Sequence, residues 1–264
     1  MTSRVSFVRV AWTSDKAREV WEPRMARIRT AWLETERASV ADGIRPCAVQ
    51  TRDDERTVIG APDIVAEFHK ALGEERDDRV GELLGYPACC RAFFRAVWIG
   101  AGQTDTTWPM ARASADAARD TPLIEATAHP AANMLWRQIG IRAVPHLPCC
   151  FHCRPTIDLG RQLLDVGARN GYEPEWQWLQ AILSWPVEWS ALHGIAEIKT
   201  PILKISASTD RLTGKRVVRL RGSGFPAEGA RGLHFPYQQP RKLTRLSMYR
   251  RNSDVEDQLS RRAR

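Results

Sequence analysis

The sequence of 264 residues is long enough for one large domain or two small ones, each with its own hydrophobic core. Its 43% hydrophobic and 27% charged residues are typical of a soluble globular protein and argue against a mostly disordered, fibrous or membrane-embedded chain. Three features are unusual: ten tryptophans, six cysteines and a formal net charge of +8.

The positive charge is concentrated in the C-terminal part of the chain. Residues 201–264 contain 15 Lys and Arg against 5 Asp and Glu, so the first 200 residues have a balance of −2. Residues 241–264 show little apolar periodicity, and we expect a disordered basic tail there. Such a tail could bind nucleic acid or another polyanion. Because 33 of the 39 basic residues are arginine along the whole chain, arginine abundance is weak evidence for phosphate binding.

The start of the chain has no apolar stretch of signal-peptide length, and the most apolar later window is interrupted by Arg95. We therefore expect a cytoplasmic protein that makes no membrane contact. In that reducing compartment, grouped cysteines are typically metal ligands or redox-active thiols rather than structural disulfides.

Residues 1–75 are predicted to form a mainly helical N-terminal part. Ser14 is an N-cap signal, and the apolar residues that follow recur every three or four positions, with Pro23 expected to restart or kink the helix. A short strand is predicted over 45–51 and a helix over 62–72.

The rest of the chain is predicted to contain a long loop over 100–120 and then helices followed by strands. The predicted helices cover 131–140, 154–168 and 174–184, and the predicted strands cover 195–206 and 215–220. These patterns indicate an α+β fold, in which a helix-rich single domain carries a small antiparallel β element near the C-terminus. The domain is expected to cover 1–240, with its cysteine-motif core in 80–240.

Five of the six cysteines fall in two tight clusters, GYPACC at 85–90 and HLPCCFHC at 146–153. Each cluster includes a proline and precedes a predicted helix, which places the sulfurs in a turn or a first helical turn. The N–H groups and the helix dipole there favour thiolate, the form that binds metal or attacks disulfides. The sixth, Cys47, is interpreted as a buried, hydrophobic-like residue.

The second cluster offers two ligand spacings, because Cys150 and Cys153 form a C-x-x-C pair while Cys149 and Cys153 form a C-x-x-x-C pair. Cys89 and Cys90 could complete a site of three or four thiolates. Zinc knuckles usually have a gap between their cysteines, and adjacent side chains are expected to diverge. This favours a [4Fe–4S]-type iron–sulfur cluster, with zinc as the alternative cofactor.

Four other residues lie close to the cysteines in the sequence. His146 and His152 flank the second cluster and could be ligands, although second-shell donors or packed turn residues are commoner. Arg91 and Arg95 share one helical face after the first cluster, and they could offset thiolate charge or bind an anionic substrate or cofactor. A solvated helix face is an equally good interpretation of these two arginines.

The motifs at 85–90 and 148–153, together with the run WPVEWSALHGIAEIKTPILKI at 185–205, resemble an uncharacterised prokaryotic family known as a domain of unknown function. The resemblance spans roughly 80–240, and the family has no settled activity to transfer. It implies that four cysteines belong together: Cys89, Cys90, Cys149 and Cys153. Cys150 is then an addition to the family pattern.

The run at 185–205 also contains four ionisable residues in an apolar, tryptophan-rich context: Glu188, His193, Glu197 and Lys199. Near a metal centre, these residues could act as a catalytic acid–base or substrate-binding set. An ordinary salt-bridged sheet surface is the alternative, and the pattern favours it slightly.

The sequence therefore predicts an iron–sulfur cluster-binding cytoplasmic protein that acts as an enzyme on a small-molecule or anionic substrate. One alternative is a zinc-stabilised nucleic-acid-binding protein that uses the basic residues of 201–264. The other is a thiol–disulfide oxidoreductase at Cys150 and Cys153, whose C-x-x-C pair resembles a thioredoxin active site.

Overall fold

A computed structural model describes residues 7–52, 55–115 and 121–231. Its helices are α1 (Asp15–Ala41), α2 (Pro62–Gly73), α3 (Asp77–Leu83), α4 (Ala88–Phe94), α5 (Thr107–Ser114), α6 (Arg154–Arg169) and α7 (Glu173–Leu183). Its strands are β1 (Val8–Trp12), β2 (Cys47–Arg52), β3 (Glu55–Gly60), β4 (Leu123–Thr127), β5 (Val187–Leu192), β6 (Ile195–Lys199), β7 (Leu203–Ser208) and β8 (Arg216–Arg221).

Six strands form one mixed sheet in the order β1–β7–β6–β5–β8–β4, and β2 and β3 form a separate hairpin. Neighbouring strands are antiparallel except β4 and β8, which are parallel. The expectation of a small antiparallel β element near the C-terminus is therefore wrong. Strands β1 and β4 pair with partners far along the chain, so no local hairpin pattern reveals them.

Strands β6, β7 and β8 bury alternate side chains, as the two-residue period of a strand requires, whereas β5 buries all five residues from Val187 to Ala191. The buried apolar set is Val187, Trp189, Ala191, Ala196, Ile198, Leu203, Ile205, Ala207, Val218 and Leu220. A two-residue turn, His193-Gly194, joins β5 to β6, and both residues have positive φ, at 51° and 88°. This is the left-handed backbone that a tight hairpin turn needs. The register places the other face of the sheet, which carries charged residues, away from the core.

Helix α1 packs along the core, and its predicted N-cap is confirmed, because the Ala17 N–H donates to the Ser14 hydroxyl at 3.0 Å. Pro23 lies inside the helix, which continues to Ala41 without restarting. Its buried face is rich in tryptophan, and Trp21 meets Trp185 edge-on with ring centroids 4.7 Å apart. Tryptophan here serves mainly as core packing.

A second, smaller hydrophobic cluster lies beneath the hairpin β2–β3 and helices α2 and α3. It consists of Cys47, Phe68, Ala71, Leu83 and Leu84. Cys47 is fully buried and its thiol donates to the Leu83 carbonyl at 3.2 Å, which confirms it as a hydrophobic-like core residue. Helix α4 follows directly from this smaller unit, whereas α6 packs on α1 in the main core. The two cysteine clusters therefore belong to different packing units.

Three local predictions are wrong. The stretch 100–115, predicted as loop, contains α5, and 131–140 contains only the short 3₁₀ turns Pro130–Ala132 and Arg137–Ile139 instead of a helix. The strand predicted over 195–206 is divided into β6 and β7. Residues 131–136 are buried in succession, a pattern that a helix with one buried face does not give, and Pro201 lies in the turn between β6 and β7 because it cannot donate to the ladder.

Asp105 is the tertiary contact that organises the region before α5. Its buried carboxylate accepts hydrogen bonds from the Thr107 N–H and the Thr209 hydroxyl, both at 2.9 Å, and pairs with Arg137 at 2.8 Å. Burial opposes ionisation, but the Arg137 charge and the Thr107 hydrogen bonds hold the pKa of Asp105 below its usual value. One carboxylate thus links α5, the end of β7 and a 3₁₀ turn.

Among the described helices, none is both long enough and apolar enough to span a membrane. The predicted basic tail, 241–264, lies outside the described residues, as do residues 116–120 of the predicted loop.

The contact between α6 and α7 should not tolerate a methyl group at Gly167. A Cβ at this position would lie 1.5 Å from the Nε1 of buried Trp176. We expect Gly167→Ala to lower the free energy of unfolding by about 3 kcal/mol through overpacking, measured by urea denaturation. Gly73→Ala is the matched control, because nothing lies within 4 Å of a Cβ there. Equal destabilisation of the two variants would contradict the packing model.

We expect Asp105→Asn to lower the free energy of unfolding by about 3 kcal/mol at pH 7, because it leaves Arg137 without its buried partner. Since the folded state lowers the pKa of Asp105, the carboxylate stabilises the protein above its unfolded pKa. That stability is lost as the pH falls through the folded pKa. The difference between the denaturation curves of the two proteins should therefore be smaller at pH 3 than at pH 7. A difference that is independent of pH would argue against the ion pair.

Candidate metal centre

The GYP part of the first motif forms the turn between α3 and α4. Gly85 has φ of 71°, a left-handed conformation that favours glycine. The Gly85 N–H donates to the Glu82 carbonyl and the Tyr86 N–H donates to the Gly81 carbonyl, both at 2.9 Å. This is a Schellman ending, which closes α3 and reverses the chain.

Pro87 is the N-cap residue of α4. At a helix start a proline breaks no backbone hydrogen bond, because the N–H that it lacks would have no partner within the helix. Cys89 and Cys90 consequently lie in the first turn of that helix. Their Sγ atoms are 3.9 Å apart, so the expectation that adjacent cysteine side chains diverge is wrong here. Both sulfurs extend from the N-terminal end of one helix.

The second motif is a loop that is fixed by Phe151. The Phe151 side chain is fully buried. Its backbone N–H donates to the Ser114 hydroxyl at 2.7 Å, and its backbone carbonyl accepts from the His129 N–H at 3.1 Å. The Cys153 N–H donates to the Cys150 carbonyl at 3.3 Å, which turns the loop into α6. Cys153 is the N-cap residue of that helix.

Four cysteine sulfurs converge where α4 and α6 begin. The Sγ atom of Cys153 lies 3.5 Å from that of Cys90 and 3.7 Å from that of Cys89. With Cys149 included, all four sulfurs lie within 4.8 Å of one another, a separation at which they can bind one metal ion. These are the same four cysteines that the family resemblance implies.

The convergent group lies just below the protein surface. Cys90 and Cys153 are buried, Cys149 is half-buried and Cys89 is exposed. All six cysteines of the chain are free thiols. Cys150 is half-buried and lies outside the group of four, so the C-x-x-C pair is not the one that converges. Its role as a fifth candidate ligand stays a prediction.

Cys90, Cys149 and Cys153 differ in how readily their thiols ionise. Burial raises the pKa of Cys90 to about 12. Burial and the neighbouring Cys90 also raise the pKa of Cys149. Burial acts in the same direction on Cys153, but hydrogen bonds with Thr156, Cys90 and Cys149 outweigh it and lower that pKa. A metal ion that binds here must therefore displace protons from Cys90 and Cys149.

Thr156, in the first turn of α6, connects the sulfurs to a buried histidine. Its hydroxyl lies 3.4 Å from the Cys90 Sγ and 2.8 Å from the His146 Nε2. Burial lowers the pKa of His146 to about 3, so the ring is neutral. With its proton on Nε2, His146 donates to the Thr156 oxygen and leaves the hydroxyl proton for Cys90. His146 is thus linked to the Cys90 sulfur through the Thr156 hydroxyl, whereas exposed His152 contacts Thr127 at 3.3 Å.

Behind His146, a buried ion pair supports the GYP turn. The Tyr86 ring packs against His146 with centroids 5.3 Å apart, and the Arg45 guanidinium lies 5.9 Å from the Tyr86 ring centroid. Arg45 also donates to the Leu84 carbonyl at 3.0 Å and faces Glu36 of α1 at 3.6 Å. Burial raises the pKa of Glu36. This network links α1 to the turn that carries the first cysteine pair.

Arg91 of α4 and Arg95, the first residue of the π-helix Arg95–Gly100 that follows α4, both face Asp78 of α3. The guanidinium–carboxylate distances are 3.2 Å and 3.9 Å respectively. Arg91 also donates to the Tyr86 carbonyl at 3.2 Å. The two arginines thus connect this part of the chain to α3. Their binding of an anionic group stays a prediction.

The four proposed catalytic residues lie on the large sheet. Glu188 pairs with Lys199 at 3.5 Å and with Arg219 at 2.8 Å, and Glu197 pairs with Lys204. His193 occupies the β5–β6 turn. Glu188, Glu197 and Lys199 thus take part in salt bridges on the sheet, and Glu188, His193 and Glu197 are not among the four converging potential metal ligands. A catalytic role for the four residues stays a prediction.

Sequence reasoning missed Thr156, Tyr86, Arg45 and Glu36 as supporting residues. Thr156 lies three residues after Cys153, a spacing that places it in the same helical turn, so this signal was available. Arg45 and Glu36 lie far from both clusters in sequence, and only the fold brings them there.

Comparisons of this chain with protein-family models, with curated proteins and with solved structures find no match.

Thr156→Val should weaken metal binding, because it removes the hydroxyl proton donor to Cys90 while keeping a similar volume. We expect a loss of affinity of about 10–100-fold, measured by competition with a chromogenic chelator. Thr156→Ser keeps the hydroxyl and should restore affinity to near that of the wild type. If Ser behaves like Val, the hydroxyl is not the group that matters.

Proposed function

We propose that this protein is a zinc protein in which Cys89, Cys90, Cys149 and Cys153 bind one tetrahedral ion. The observation that carries the proposal is the mutual approach of the four sulfurs within 4.8 Å. Thiolate sulfurs are soft ligands that suit zinc, and four of them satisfy its usual coordination number.

The separations between sulfurs support a single ion. With metal–sulfur bonds near 2.3 Å, the sulfurs of a regular tetrahedron are about 3.8 Å apart. The separations among the sulfurs of Cys89, Cys90 and Cys153 are 3.5, 3.7 and 3.9 Å. In a [4Fe–4S] cluster each thiolate binds a different iron, so the four sulfurs must lie further apart than around one ion. The iron–sulfur interpretation is therefore the second candidate.

The proposed role of the ion is structural. Four protein ligands leave no open coordination position for water or substrate, which is the pattern of structural rather than catalytic zinc. The ligands come from α4, next to the smaller packing unit, and from the loop before α6 in the main core. One ion would therefore fasten these two units together at the start of both helices.

Metal and sulfide analysis of protein prepared without oxygen tests the identity of the centre. We expect one zinc per chain, no acid-labile sulfide and no visible absorption. Stoichiometric iron with sulfide and a brown colour would establish the iron–sulfur cluster instead. A protein with neither metal, even after zinc is added to the reduced thiols, would overturn both interpretations.

Cysteine variants test which sulfurs are the ligands. Cys153→Ser should reduce the zinc content sharply and lower the melting temperature, because Cys153 contacts two other sulfurs of the group. Cys150→Ser is the matched control, since it changes a neighbouring thiol outside the group and should leave one zinc per chain. Loss of zinc from Cys150→Ser alone would replace the proposed ligand set with the C-x-x-C pair. Catalysed disulfide exchange that also depends on Cys150 would support the oxidoreductase alternative.

A further inference from the structure

A cavity of about 310 Å³ adjoins the sulfur group on the side of Cys90. It lies between α3, α4 and the segment 145–147, and its volume is at the lower end of the range for small-molecule sites. Apolar side chains form most of its walls: Val80, Leu84, Tyr86, Phe94, Pro145 and Leu147. These walls suit a ring or branched apolar group of modest size.

The polar groups around the cavity are mainly acceptors of hydrogen bonds. Cys90 contributes its sulfur, and Asp77 contributes an exposed carboxylate at the edge. Arg91 also lines the cavity, but Asp78 neutralises its charge at 3.2 Å and its side chain packs over Gly81. The His146 Nε2 is already engaged by Thr156 at 2.8 Å.

The electrostatic balance next to this cavity is negative. Four thiolates around one divalent ion have a net charge of about −2. Among the nearby cations, Arg91 and Arg95 both face Asp78, and Arg45, which lies against the Tyr86 ring, faces Glu36. The potential therefore favours a ligand that carries positive charge and hydrogen-bond donors.

We propose that this cavity binds a small organic cation, with an apolar ring between the apolar walls and an ammonium group directed towards Asp77 and the thiolates. The inference rests in part on the proposed zinc centre, which supplies the negative charge. It assigns a ligand-binding function to the cavity beside Cys90, which has no part in the structural role proposed for the ion.

Three probes of matched shape test the charge preference on the zinc-loaded protein: tryptamine, tryptophol and indole-3-acetate. They present an ammonium, a hydroxyl and a carboxylate on the same indole ring. In calorimetric titrations we expect tryptamine to bind about tenfold more tightly than tryptophol, with indole-3-acetate weakest. Preferred binding of indole-3-acetate would overturn the proposal and make Arg91 an anion-binding residue. No binding of any probe at millimolar concentration would also overturn it.

Two variants locate the site. Asp77→Asn should lower the preference for tryptamine over tryptophol by about threefold, the size expected for one exposed charge, while Asp63→Asn on α2 should leave it unchanged. Val80→Phe should fill the cavity and abolish binding of tryptamine and tryptophol. If Val80→Phe does not fold, NMR shifts in the wild type on addition of tryptamine should fall on Leu84 and Leu147, and shifts confined to other regions would refute the site.

Metal analysis of the same samples separates the two proposals. A protein that holds one zinc but shows no probe binding disproves the ligand site and leaves the zinc centre intact. A zinc-free protein that still prefers tryptamine disproves the zinc centre while keeping the cavity.

Discussion

The arrangement of this protein depends on one constraint, the meeting of four cysteine sulfurs from two distant segments within 4.8 Å. Two sulfurs belong to the first turn of α4 and two to the loop that leads into α6. Because a thiolate must be held to a fraction of an ångström to bind an ion well, both helix starts need rigid support. The Gly85 turn gives that support on one side, and the buried Phe151 gives it on the other.

A network of side chains behind the sulfurs connects the cysteine-bearing turn to both packing units. Glu36 on α1 faces Arg45, Arg45 supports the turn through the Leu84 carbonyl, and Tyr86 packs on His146. Glu36, Arg45 and His146 are buried, so a polar atom of theirs without an internal partner costs free energy, and the Arg45 Nη1 and the His146 Nδ1 have no hydrogen-bond partner. A buried ion pair is weak evidence for stability, but it does specify one docking of α1 against the α3–α4 turn.

The site was more predictable from sequence than the fold. Five cysteines lie in two short sequence motifs beside helix-start signals, so a shared metal or redox site could be predicted from the sequence alone. The six-stranded sheet could not, because β1 pairs with β7 and β4 pairs with β8 over long separations. Register and order in such a sheet depend on the whole core, in particular on the buried strand residues that face α1.

The spacing of two cysteines in the sequence does not by itself determine which metal centre they can bind. The expectation that adjacent cysteine side chains diverge disfavours a single ion. In a first helical turn the two Cα–Cβ vectors are only about 100° apart, and χ1 rotation can bring both sulfurs to one point. Cys89 and Cys90 use this geometry, with a 3.9 Å separation that matches the edge of a tetrahedron around one ion. The local helix, rather than the residue spacing alone, therefore determines what such a pair can bind.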